Sequence, residues 1–202
     1  MAGKYIEFVN PGYSTLYTRD FKYAQNTSRG DDVANPFDPD AANPLIEGEW
    51  LQMAANNRVT RGGDATSATA GDDYNVAVSP CLMHFSERGR YDVQITKKAH
   101  CVTGPQGFEF TCKLGDFTGG AAGDRVYIMD FENPSASGKY IQAPVCLSAL
   151  NTASSSAVTE AGADGSLTAT HQVWSPGWVV RHVSATEVVI MFDPQYIALN
   201  FT

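Results

Sequence analysis

The sequence predicts an all-β protein, an antiparallel sandwich or barrel that follows an extended, irregular N-terminal arm. Three observations support this fold class. Runs of β-branched and aromatic residues recur from residue 45 onward with the two-residue alternation of strands. No segment shows the period of an amphipathic helix. The short spacing between the runs leaves no room for helical crossovers, so the sheets are expected to be mainly antiparallel.

Residues 1–44 form the predicted arm. Four prolines and many turn-forming residues exclude long regular structure there. A segment too irregular to pack alone, yet rich in aromatic residues, is expected to lie along another surface. That surface is either its own domain or a neighbouring subunit. The arm residues predicted to form this interface are Tyr13, Tyr17, Phe21, Tyr23 and Phe37.

Residues 45–202 form the predicted β-domain. "YDVQITK" (91–97) and "FEFTCKL" (108–114) alternate cleanly between apolar and polar residues. The intervening "TGPQG" has the composition of a hairpin loop, which predicts that these two strands pair. Residues 151–169 are small and polar and predict a long exposed loop. Four further strands are predicted at "RVYIMDF", "KYIQAPVCL", "WVVRHV" and "EVVIMF".

The stretch "NPLIEGEWL" raises the question of a catalytic carboxylate pair. On a strand, Glu47 and Glu49 share one face and lie about 6.5–7 Å apart, a spacing found in inverting glycosidases. Those enzymes place the two groups on opposite sides of a sugar, whereas neighbours on one strand approach from the same side. The two glutamates are therefore predicted to be exposed structural residues. Gly48 is predicted to leave room for Trp50 or a crossing strand, and the Asn56–Asn57 pair to close a hairpin.

Composition excludes several classes of function. The net charge is -8, the sequence pI is about 4.8, and no Lys/Arg-rich run occurs, so nucleic acid is not expected as a partner. No apolar run is long enough to span a membrane, and no membrane partner is expected. The N-terminal "MAGKYIEFVN" lacks the apolar core of a signal peptide, which predicts synthesis in a reducing cytoplasm.

The cysteines are predicted to be buried free thiols, because they are few and scattered for a chain of this length. A zinc site is the alternative, assembled from Cys81-x-x-His84 with His100, Cys101 and Cys112. Adjacent strand residues point to opposite faces, which argues against His100 and Cys101 binding one metal. We expect no metal or other cofactor. The four cysteines are Cys81, Cys101, Cys112 and Cys146.

Enzyme signatures are missing from the sequence. There is no G-x-S-x-G, P-loop, H-E-x-x-H or EF-hand pattern, so the protein is not expected to be an enzyme. Trp50, Trp174 and Trp178 are candidates for an aromatic ligand platform. The alternative for Trp174 and Trp178, which flank "SPG", is a turn anchored in the core by two indoles.

At "NPLIEGEWLQM", after a Pro-rich arm and before "RVTRGGD", the chain resembles head-decoration (cement) proteins of tailed bacteriophages. The resemblance covers about the first third of the chain, together with the β-rich character of the rest. It implies a homotrimer on the outer surface of a virion, bound to the major capsid protein and stabilising contacts between capsid subunits. An outer location suits the acidic charge, because an outer protein has no reason to attract packaged DNA. Two alternatives remain open: a tail-tube or neck protein, and a carbohydrate-binding jelly roll.

Overall fold

The computed structural model describes residues 5–9, 17–26, 41–62, 81–85, 98–153, 158–160 and 170–201. Across the described residues the fold is nearly all β, with antiparallel sheets and a closed barrel, which confirms the predicted all-β class. Within the described ranges there is one helix, α1 (Leu147–Ala153). No helix in these ranges is long and apolar enough to cross a membrane.

The described strands fall into two groups, a sheet and a barrel. In chain order they are β1 (Ile6–Phe8), β2 (Tyr17–Tyr23), β3 (Trp50–Ala54), β4 (Arg58–Thr60), β5 (Cys81–His84), β6 (Lys98–Gly104), β7 (Glu109–Cys112), β8 (Arg125–Glu132), β9 (Tyr140–Cys146), β10 (Val158–Glu160), β11 (Thr170–Ser184) and β12 (Glu187–Phe201).

The sheet has the order β1-β7-β12-β11-β8-β9, and β10 also pairs with β12. All of these pairs are antiparallel. Its centre is the hairpin of β11 and β12, which have 15 residues each. A strand of that length spans about 50 Å, well beyond the usual length. The first register shift in the hairpin lies at Gly177, where a Cβ would collide with the carbonyl oxygen of Met191. The "SPG" sequence therefore marks a bulge.

The remaining five strands close into a barrel with the order β2-β4-β3-β5-β6. Its pairs are antiparallel except β2–β4, which is parallel. The hairpin predicted at Asn56–Asn57 is confirmed: the two asparagines have φ values of 60° and 59°, and β3 pairs with β4 across them.

The largest hydrophobic cluster lies where the barrel meets the sheet. It combines barrel residues such as Trp50 and Met83 with sheet residues such as Phe110, Ile190 and Phe192. The Trp50 ring stacks on Phe192 with 6.4 Å between centroids. A second cluster fills the barrel, and a third lies beside α1. The sheet and the barrel therefore share the largest of the three clusters.

Two strands of the fold come from residues 1–44, the predicted arm. Strand β1 pairs with β7 in the sheet, and β2 closes the barrel between β4 and β6. Ile6 and Phe21 are buried in these two parts of the fold. The described portions of residues 1–44 are thus built into the domain, because their apolar side chains complete its cores.

Two loop predictions are corrected. "TGPQG" does not close a hairpin, because β6 belongs to the barrel and β7 to the sheet, so the loop passes between the two. The predicted loop at 151–169 contains the end of α1 and strand β10. The inward face predicted for "FEFTCKL" is confirmed, since its four apolar residues are all buried. The predicted strand at 91–97 lies outside the described residues.

Candidate functional site

The two glutamates of "IEGEW" do not form the exposed strand face that the sequence predicts. Residues 47 and 48 form a turn, and β3 begins only at Trp50. Gly48 has a φ of 93°, and a Cβ there would lie 2.8 Å from Cγ1 of Ile6. The glycine thus makes room for strand β1, which crosses at this point. Glu49 is 0% exposed, so the prediction of an exposed carboxylate is wrong for this residue.

Glu49 is buried because it pairs with Arg61 at the end of β4. Nη2 of Arg61 donates to Oε2 of Glu49 at 2.9 Å, and the two side chains are 1% and 0% exposed. The guanidinium also donates to the backbone oxygens of Asn43 (2.7 Å) and Pro44 (2.8 Å). Nδ2 of Asn133, after β8, donates to Oδ1 of Asn43 at 2.8 Å. This network ties the barrel to the β8–β9 turn. Its burial keeps the carboxylate away from any substrate, so its role is structural.

Two barrel strands carry a histidine, His84 on β5 and His100 on β6. His100 on β6 and Asp20 on β2 are register partners, with 2.7 Å between Nδ1 and Oδ1. His84 is buried, and Nδ1 lies 3.2 Å from the backbone oxygen of His100. Burial lowers the pKa of His84 to about 4, so its ring is neutral at pH 7. A neutral ring held on a backbone oxygen and closed to solvent is suited to packing.

The cysteines are free and buried, as predicted. Burial raises the pKa of every one of them, to about 12 for Cys112 and Cys146, so the thiols stay protonated and are poor nucleophiles. Among the residues that the structure describes, no group of three His, Cys, Asp or Glu side chains is placed to hold a metal ion.

The three candidate tryptophans do not form one platform. Trp50 is 0% exposed and packs between Phe110 and Phe192, so it is a core residue and not a ligand contact. Trp174 packs against the same core and meets the ring of Tyr196 edge-on at 5.2 Å. Trp178 is 37% exposed. The bulge at "SPG" lies between Trp174 and Trp178 on β11.

The residues predicted to form the arm interface also differ in exposure. Phe21 is 3% exposed inside the barrel, so it does not face a partner, and Tyr23 packs partly against the same cluster. Tyr17 is 61% exposed at the start of β2 and stays available as a contact residue. Tyr13 and Phe37 lie outside the described residues.

Three apolar residues in the second half of β11 are exposed, and we call them the apolar strip: Trp178, Val180 and Val183. Their side chains are 37%, 38% and 50% exposed. Strand β8 pairs with β11 at Gly177 and Trp178. The segment before β8 continues along β11, where Gly123 and Asp124 bond the backbone of Val179 and Phe117 bonds that of Ala185. The sequence "WVVRHV" predicts a strand here, but a run without a clean apolar–polar alternation does not reveal which of its residues face solvent.

Among the described residues, the carboxylate of Glu49, the ring of His84 and the four thiols are thus buried, whereas the apolar strip is exposed. A scan against protein-family models, a search of curated proteins and a search of solved structures each found no match to this chain.

Proposed function

We propose that this protein is a structural virion component, a head-decoration protein that binds the outer surface of a tailed-phage capsid and its own sister subunits. The observation that supports this role is the apolar strip on β11. A contact function for the strip is favoured because exposed apolar side chains gain stability when a partner removes them from water.

The position of the strip also suits assembly. It lies on the long hairpin, at the end that turns through Ala185 and Thr186. A capsid surface or a sister subunit would cover the three side chains of the strip.

The remaining features fit a contact protein better than an enzyme. The buried carboxylate is locked to Arg61, His84 is neutral and enclosed, and the thiols are protonated. The net charge of -8 suits a protein on the outer face of a shell, away from packaged DNA.

The test is binding to phage heads stripped of this protein, prepared from the virus whose genome encodes the chain. We expect the protein to bind these heads in cryo-electron micrographs and to behave as a trimer in light scattering. The double substitution Trp178→Ser and Val183→Thr should abolish head binding, trimerisation or both while leaving the circular-dichroism spectrum unchanged. Tyr140→Ser is the matched control, since Tyr140 is a similarly exposed aromatic residue at the start of β9. Heads that bind the strip variant as well as the unchanged protein would contradict the role of the strip. Heads that bind neither would contradict the decoration function.

A further inference from the structure

Three basic residues meet in a row on the outside of the barrel, although they are far apart in the sequence. Lys22 on β2 is the register partner of Arg58 on the parallel strand β4. On its other side, Lys22 is the register partner of Lys98 on the antiparallel strand β6. Neighbouring strands lie about 4.8 Å apart, so the row spans about 10 Å at the backbone. We call Arg58, Lys22 and Lys98 the basic row.

The side chains of the basic row point to solvent. Each base has a neighbour on its own strand that is buried inside the barrel. These neighbours are Phe21 beside Lys22, Val59 beside Arg58 and Ala99 beside Lys98. Successive strand residues face opposite sides, so the three bases face outward. All three are exposed. Within the part of the chain that the structure describes, none of them forms an ion pair.

Repulsion among the three positive charges of the basic row destabilises the barrel. Like charges on directly paired strand positions repel, whereas opposite charges there attract. The chain has 22 acidic residues and 14 basic ones, yet no acid stands between these three bases. The nearest acid on the same face of β2, Asp20, is held by His100 at 2.7 Å. Among the described residues no ion pair offsets this repulsion, as expected for a surface that meets an anionic partner.

We propose that the basic row binds a carboxylate-rich segment of another protein. Three cations match the few carboxylates that a short acidic segment presents, and such a segment in extended form places alternate side chains about 6.5–7 Å apart on one face. A nucleic acid fits less well, because its phosphates recur along the whole strand and outnumber the three cations. The net charge of -8 would repel such a polyanion beyond the edges of the row. The inference does not depend on the decoration function, since the partner is defined only by its carboxylates.

Fluorescence anisotropy with two labelled peptides tests the proposal. The first peptide alternates Glu with Ser, and the second alternates Gln with Ser. We expect the full chain to bind the Glu peptide and not the Gln peptide, with an affinity that falls as salt increases. A row variant should bind the Glu peptide about tenfold more weakly, the combined effect of three exposed ion pairs of ordinary strength. The row variant carries Lys22→Gln, Arg58→Gln and Lys98→Gln.

A control variant removes the same charge elsewhere on the described surface and should bind as the unchanged protein does. It carries Lys113→Gln, Lys139→Gln and Arg181→Gln. Circular dichroism checks that each variant is folded, and Lys22→Gln alone serves if the triple substitution does not fold. Three results would overturn the proposal. These are no binding of the Glu peptide by the full chain, equal losses in the row and control variants, and tighter row-dependent binding of an oligothymidine than of the Glu peptide. The last result would assign the row to nucleic acid.

Discussion

Substituting Glu49 with glutamine should lower the free energy of unfolding by about 3 kcal/mol. Removing one partner of a buried ion pair costs about 3–5 kcal/mol, because the remaining charge is left without compensation. Here the cost falls at the lower end, since the glutamine amide oxygen still accepts from Nη2 and Arg61 keeps its bonds to Asn43 and Pro44. In a domain of this size, about 3 kcal/mol corresponds to a melting temperature lowered by about 6–12 °C. Arg61→Met should cost more, because it also removes the donors to both backbone oxygens.

Urea unfolding, followed by tryptophan fluorescence and far-ultraviolet circular dichroism, measures these costs. The double variant, Glu49→Gln with Arg61→Met, should lose less free energy of unfolding than the sum of the two single losses, since the Glu49–Arg61 pair is broken only once. Glu187→Gln is the control, because it breaks the partly exposed pair of Glu187 with Lys113 at 3.7 Å and should change stability by about 0.5 kcal/mol or less. If Glu49→Gln cost no more than this control, Glu49 would be a solvated residue and the buried network would be wrong.

Four further predictions follow from the same packing. Trp50→Ala should destabilise the protein by about 3–5 kcal/mol in urea unfolding, because the indole is fully buried, and a cost below about 1 kcal/mol would contradict its place in the core. Because the unfolded chain protonates His84 near its ordinary pKa of 6.5 and the folded protein only near 4, stability should fall as pH drops through that window, by about 3 kcal/mol in total. His84→Gln should flatten this dependence while the control His182→Gln retains it, and identical pH profiles for both would rule the mechanism out. Deleting residues 1–40 should unfold the protein, because it removes β1 and β2; a truncated chain with an unchanged β-type circular-dichroism spectrum would show that these strands are dispensable. Thiol titration in denaturant without reductant should find all four cysteines, whereas finding none would mean that they are oxidised.

Local signals predicted the features that depend on neighbouring residues. The alternation in "FEFTCKL" correctly placed Phe110 and Cys112 inside, because strand periodicity decides which side of a strand faces the core. The Asn56–Asn57 turn was predicted because asparagine tolerates positive φ at low cost. The all-β fold class follows from many such signals added together.

Features that depend on distant partners could not be predicted in the same way. Glu49 looked exposed because acidic residues usually are, and the residue that justifies its burial, Arg61, reaches it only once β3 and β4 have folded into a hairpin. "TGPQG" has the chemistry of a hairpin loop, but turn chemistry does not determine which strands pair after the turn. The strand signal of Phe21 was correct, whereas its burial depends on closing a barrel with strands that come later in the sequence.

Strand register also changes what the acidic composition implies. The sequence has no basic run, and that argument against nucleic acid concerns the field of the whole chain. The pairing of β2 with β4 and β6 nevertheless places Lys22, Arg58 and Lys98 side by side, as one small positive surface. At physiological salt the Debye length is about 8 Å, close to the width of the basic row. A partner in contact therefore meets three positive charges together, whereas a longer anion also meets the negative surface around them. The same acidic background that disfavours a polyanion makes the basic row selective for a short acidic segment.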